Sequence, residues 1–131
     1  MLTPEDEAAI KSLHEEDWVQ HVLARDIDSL VTLYADDVVV MAPNMPAIEG
    51  LEAFREFVQA FPPITTMDMT VLHVEGKDDL AFVWGKTAST MEIEGTTVSD
   101  SNNFVELLRK QPNGSWRIAY DIWNSDVPLP E

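Results

Sequence analysis

The chain has 131 residues, with 24 Asp and Glu against 8 Lys and Arg, and a formal net charge of −16. That length fits one domain, 1–131, burying roughly two-thirds of the surface its unfolded chain exposes. An acidic chain with no basic cluster has no footprint for nucleic acid or an anionic membrane surface, and without cysteine it has no disulfide, thiol nucleophile or cysteine-held metal.

The start, MLTPEDEAAIK, lacks the basic segment and apolar core of a signal peptide, and no apolar run approaches the ~18 residues of a membrane span. A cytoplasmic protein is the expectation. Thr3-Pro4-Glu5-Asp6 starts a helix: Thr as N-cap, Pro at the first helical position, acids in the first turn. The spacing predicts one continuous helix to about Arg25. Ile10, Leu13, Trp18 and Val22 form its apolar face, interrupted by His14, Asp17 and His21. That mixture predicts a helix lying over a partly polar cavity.

Asp28 to Tyr34 reads as a short second helix capped by Asp28 or Ser29, followed by a strand at Val38–Met41. Pro43 and Pro46 make the next segment a loop. A third helix runs from Leu51 to Phe61, its apolar side formed by Leu51, Phe54, Phe57, Val58 and Phe61, and Pro62-Pro63 stops it. Thr65 to Gly76 is a strand with Met67, Met69, Val71 and His73 on one face and Leu72 and Val74 on the other. Three long strands then fill Leu80 to Asp126, separated by turns at Gly95 and at Asn113-Gly114.

Helices gathered at one end and strands at the other predict an α+β fold: an antiparallel sheet that twists and curls around the N-terminal helices. Phe104 and Leu108 on one side of a strand, with Val105 and Leu107 on the other, leave the outer sheet face apolar. A second copy of the chain would cover it, so a homodimer through that face is expected.

Three segments carry a family resemblance. They are Arg25-Asp26-Ile27-Asp28 with Leu33-Tyr34-Ala35-Asp36-Asp37-Val38, then Ile48-Glu49-Gly50-Leu51-Glu52-Ala53-Phe54, and Trp116-Arg117-Ile118 with Asp121-Ile122-Trp123-Asn124-Ser125-Asp126. The pattern resembles the nuclear transport factor 2-like superfamily, and within it the SnoaL-like and ketosteroid-isomerase-like small proteins. The resemblance implies a cone-shaped, cystatin-like fold with a pocket that needs no cofactor. It implies no single activity, since the cone hosts isomerases, cyclases, dehydratases, hydrolases and non-enzymatic binders. Where isomerases carry a catalytic Asp before a Pro, Ala42 precedes Pro43. Their oxyanion-hole Tyr falls on Trp18, which donates but does not accept, and their protonated Asp falls near Asn102. Steroid isomerisation is therefore disfavoured.

Asp17 and His21, four residues apart on one helix, are spaced for a carboxylate to orient an imidazole as an acid–base pair. Asp121 on the last strand is the third candidate, resembling the acid–base Asp of SnoaL-like cyclases. Strict alternation places Trp116 and Ile118 on one face and Asp121 on the other, toward the outer side, unless a bulge exchanges the two. Asn102 and Asn103 inside a strand suggest polar groups kept for a ligand. Trp18, His14, Tyr34, Met41, Met45, Phe57, Trp84, Met91 and Trp123 complete the expected pocket. Three histidines spread over two elements make a poor donor set, and no metal is expected. The reading is a pocket for a small apolar or weakly polar molecule, serving either a cofactor-independent cyclase, dehydratase or isomerase, or a non-catalytic binding or association module.

Overall fold

The computed structural model describes residues 2–128. Four α-helices, α1 (Pro4–Ser12), α2 (Val19–Ala24), α3 (Ile27–Val31) and α4 (Leu51–Ala60), accompany six strands: β1 (Tyr34–Met41), β2 (Ile48–Glu49), β3 (Ile64–Lys77), β4 (Leu80–Ile93), β5 (Thr96–Lys110) and β6 (Trp116–Trp123). The strands form one sheet in the order β2-β1-β6-β5-β4-β3. Every neighbouring pair is antiparallel except β1 and β6, which run parallel, so the sheet is mixed rather than wholly antiparallel. Two-residue β2, absent from the sequence reading, pairs with β1 through Val39 and Val40. No helix among the described residues is long and apolar enough to cross a membrane.

The N-terminal helix is not uniform. Between α1 and α2 the six residues Leu13–Trp18 form a π-helical turn, whose i→i+5 bonding is wider than the α-helix. The wider turn keeps Ile10, His14, Trp18 and Val22, four residues apart, on the sheet-facing side. It carries Asp17 out to solvent. Glu15 in this turn accepts the backbone N–H of Val71 at 2.8 Å. Val71 adjoins a bulge in edge strand β3, so the helix caps an edge group that lacks a strand partner. The same bulge turns His73 outward and brings Val74, with Met69 and Val71, against the core, correcting the alternation read from the sequence. Asp26, rather than Asp28 or Ser29, caps α3, accepting from the Ser29 N–H and hydroxyl.

The core lies between these helices and the inner face of β3–β6, around Ile10, Tyr34, Val38, Val83, Leu108 and Ile118. Gly85 on β4 is a close approach: a Cβ there would stand 2.5 Å from both the Phe104 ring and the Thr70 carbonyl. On the outer face the register builds two apolar rows. Val39, Tyr120, Leu107 and Phe82 form one, and Met41, Ile122, Val105 and Trp84 the other.

Asp6 fastens α1 to the sheet, accepting from Lys110 Nζ at 2.9 Å and Trp116 Nε1 at 3.2 Å. Lys110, more than the other donors, holds its carboxyl down at about 2. An unfolded Asp ionises near pH 4, so this pair stabilises the fold above that value and its contribution is lost as pH falls toward 2. Asp6→Asn is expected to lower the urea midpoint at pH 7 and to flatten the loss of stability between about pH 4 and 2. An unchanged acid limb contradicts this.

Candidate functional site

A cavity of about 130 Å³ opens between α2, α4 and the inner face of β3–β6. Its walls are mostly apolar. Tyr34 and Phe54 pack with ring centroids 4.2 Å apart, and Phe57 lies 6.2 Å from Trp123 and 5.6 Å from Phe61. Thr87, Ser89 and Asn102 add polar groups along β4 and β5, and His21 and Arg25 line it from the end of α2. Arg25 ends that helix in the left-handed conformation, φ 54°. Its guanidinium donates to the Gln59 and Phe61 carbonyls at 3.0 and 2.9 Å, tying α2 to the C-terminal end of α4.

The polar end of the cavity is a chain of buried groups drawn from four elements. Trp18 Nε1 donates to the Tyr34 hydroxyl at 2.7 Å. That hydroxyl stands 3.4 Å from Asp121 Oδ2. Asp121 on β6 is directly opposite Glu106 on β5. Glu106 Oε1 contacts His14 Nε2, and His14 Nδ1 donates to the Ile10 carbonyl at 2.7 Å. The His14 ring stacks on Phe104, centroids 5.7 Å apart and planes at 9°. Glu106 and Asp121 are both 4% exposed and His14 0%, so the carboxyls are largely screened from bulk water.

Two carboxyls in one dry site do not both ionise. Burial, then the charge and hydrogen bond of Glu106, push Asp121 well above the usual carboxylate range, although the Tyr34 hydroxyl works the other way. The neutral form of Asp121 is therefore favoured more than that of an ordinary carboxyl. Tyr34 also stays protonated: burial and the charges of Asp121 and Glu106 hold its hydroxyl well above 10.0. His14 is raised from 6.5. Burial opposes the imidazolium, but the charge and hydrogen bond of Glu106 and the Ile10 carbonyl outweigh it. Two carboxyls, an imidazole and two hydroxyl or indole donors thus meet at the polar end of an apolar pocket.

Asp121 reaches this place through a bulge. The pairing Leu107–Tyr120 is followed by Leu108–Ile118, leaving Ala119 extra in β6. The insertion puts Asp121 on the same inner face as Trp116 and Ile118, and turns Tyr120 and Ile122 outward. Of the sequence candidates, Trp18, His21, Tyr34, Phe57, Met91, Asn102, Asp121 and Trp123 line the cavity. His14 does not line it, but sits behind Glu106. Asp17 is exposed and away from the cavity. Met41 and Trp84 lie on the outer sheet face, and Met45 is 42% exposed in the loop after β1. Asn103 turns outward and donates to Asn124 and Asp126, fastening the segment after β6. Glu106 escaped the sequence reading, although it shares the parity of Phe104 and Leu108, a charge between two core positions.

The family model described as a SnoaL-like domain matches residues 7–118. The chain belongs to that family. No curated protein matches it. Among solved structures, a ketosteroid isomerase-like protein from Erwinia carotovora atroseptica is 25% identical, with a TM-score of 0.84 over 96% of this chain and 100% of that one. An NTF2-like protein with a cystatin-like fold from Novosphingobium aromaticivorans is 16% identical, with a TM-score of 0.76 over 95% and 84%. A protein of unknown function with a cystatin-like fold from Nostoc punctiforme is 18% identical, with a TM-score of 0.79 over 98% and 97%. The last two show the fold alone. This SnoaL-like domain is α+β and cystatin-like.

Asp121 has a consequence for stability. Its folded pKa is raised, so the native state holds a proton that the unfolded chain loses near pH 4, and stability falls as pH rises above that value. Asp121→Asn is neutral at every pH and is expected to gain on the parent as pH rises above about 4, by at most about 1.4 kcal/mol per pH unit. Urea unfolding across that range checks the sign. A variant that loses ground as pH rises shows that Asp121 is ionised in the folded protein.

Proposed function

We propose that this protein binds a small, neutral, mostly apolar molecule of about one ring and performs acid–base chemistry on it without a cofactor. The size follows from the cavity: about 130 Å³ is close to the ~150 Å³ that accepts benzene. The buried Asp121 carboxyl at the polar end of an apolar pocket carries the reading, because a carboxyl that burial and Glu106 bias toward its protonated form serves as donor or general acid to a ligand oxygen. In that chemistry Asp121 gives its proton to a carbonyl or hydroxyl oxygen, and His21, which also lines the cavity, takes one from the adjacent carbon. The outcome is of the isomerase, dehydratase or cyclase type, in keeping with the ketosteroid isomerase-like relative.

A second reading, binding without turnover, is favoured by one observation. No buried side-chain nitrogen or oxygen among the described residues lacks a hydrogen-bond partner, so the polar cluster is complete without a substrate.

Matched six-ring probes separate these readings. Cyclohexanone is expected to shift the Trp18 indole N–H signal. Cyclohexanecarboxylate should bind at least about ten-fold more weakly, since it places another anion in an apolar site beside Glu106. In D2O the wild-type protein is expected to accelerate hydrogen–deuterium exchange α to the cyclohexanone carbonyl, and Asp121→Asn to lose about 10²-fold or more of that acceleration. Full exchange in the variant removes Asp121 from the chemistry. Binding without exchange in wild type selects the binder.

The outer sheet face supports a two-fold dimer. Tyr120, Trp84 and Ile122 are 41–44% exposed there, in the middle of the two apolar rows. Lys86 and Arg117 project from the same face and offset part of the repulsion between two copies of a chain carrying −16. Light scattering is expected to give about twice the monomer mass. Trp84→Glu with Ile122→Glu should give a folded monomer, and an unchanged mass in that variant places the contact elsewhere.

A further inference from the structure

We infer that His14 is a positioning residue of this site: clamped between the Ile10 carbonyl and Glu106, it holds Glu106 as the anion of the pair and thereby leaves the one carboxyl proton on Asp121. The inference deepens the acid–base reading above by assigning what sets the protonation of its acid.

The hydrogen bonds fix the order. A carbonyl oxygen only accepts, so His14 Nδ1, 2.7 Å from the Ile10 oxygen, carries hydrogen. Nε2 therefore decides the charge, and it faces Glu106 Oε1. The ring is fully buried and covered on one side by Phe104, so no water competes for that contact. The charged and titratable groups around it are Glu15 on its own helical turn, Glu106 on β5 and, beyond Glu106, Asp121 on β6 and Tyr34 on β1.

Charge balance then places the proton. An imidazolium at His14 and a carboxylate at Glu106 cancel. Ionising Asp121 as well would leave one buried negative charge with no counter-ion, which the dry site disfavours strongly. Without the His14 cation, Glu106 loses the partner that pays its desolvation, and both carboxyls take protons. The acid facing the ligand is then no longer unique. His14 never touches the ligand, and it acts only through Glu106.

Carbon and nitrogen NMR of the labelled full-length chain tests this without any ligand. At pH 7 the expected pattern is both His14 ring nitrogens protonated, the Glu106 carboxyl carbon at its ionised position, and the Asp121 carboxyl carbon at its protonated position. His14→Gln is expected to move the Glu106 carbon to the protonated position, and His14→Lys, which restores a cation, to return it. A residue that merely filled space would move neither signal. Where His14→Gln fails to fold, Glu106→Gln decides. With the anion gone, His14 should lose its Nε2 proton at pH 7 and the Asp121 titration should move down. An unprotonated His14 Nε2 facing a protonated Glu106, or an ionised Asp121 in wild type, overturns the inference. A chain that shows the expected pattern yet ignores cyclohexanone supports this assignment and sinks the ligand reading instead.

Discussion

Glu106 and Asp121 face each other across two neighbouring strands with almost no solvent, and the rest of the interior is arranged around making that tolerable. Two carboxyls in a low-dielectric site repel and resist ionisation, so the fold must supply a cation, a proton, or both. It supplies an imidazole from the N-terminal helix through His14, whose protonated form Glu106 favours, and hydrogen-bond donors from Tyr34 and Trp18. His14 and Trp18 lie on the π turn and Tyr34 on β1, so the cluster also fixes how the helix sits on the sheet.

A purely apolar cluster of the same volume would hold that packing at least as well, because buried ion pairs rarely stabilise a fold relative to close-packed hydrocarbon. The raised Asp121 goes further: it lowers stability as pH rises above about 4. Stability alone therefore gives little reason for placing these two carboxyls beside the cavity.

The architecture was legible because it rests on periodic signals. Thr3-Pro4, the Leu51–Phe61 apolar face and the Asn113-Gly114 turn each act locally, and the elements they mark are present. What escaped the sequence are departures from the period by one residue. The π turn Leu13–Trp18 keeps His14 and Trp18 facing inward together and expels Asp17, so the spacing that suggested an Asp17–His21 pair no longer applies. The bulge after Val71 reassigns His73. Neither leaves a compositional mark, since both are chosen by tertiary contacts: Glu15 on the Val71 N–H, and Glu106 on His14. Met41 and Trp84 misled for a related reason. Strands apolar on both faces do not say which face is the pocket, and only the register settles it.

The extra residue Ala119 links the two faces of the sheet. Without it, strict alternation along β6 would bury Tyr120 and Ile122 beside Trp116 and Ile118, and would present the Asp121 carboxyl to the outside. The pocket would lose its acid, Glu106 would face only His14, and the outer rows would lose their central members. With the insertion, the same strand gives its carboxyl to the cavity and its two large apolar side chains to the opposite surface, where they continue the rows of β4 and β5. The acid inside and the apolar band outside therefore have one structural cause. A change that removed the bulge would be expected to disturb the cavity and the outer face together.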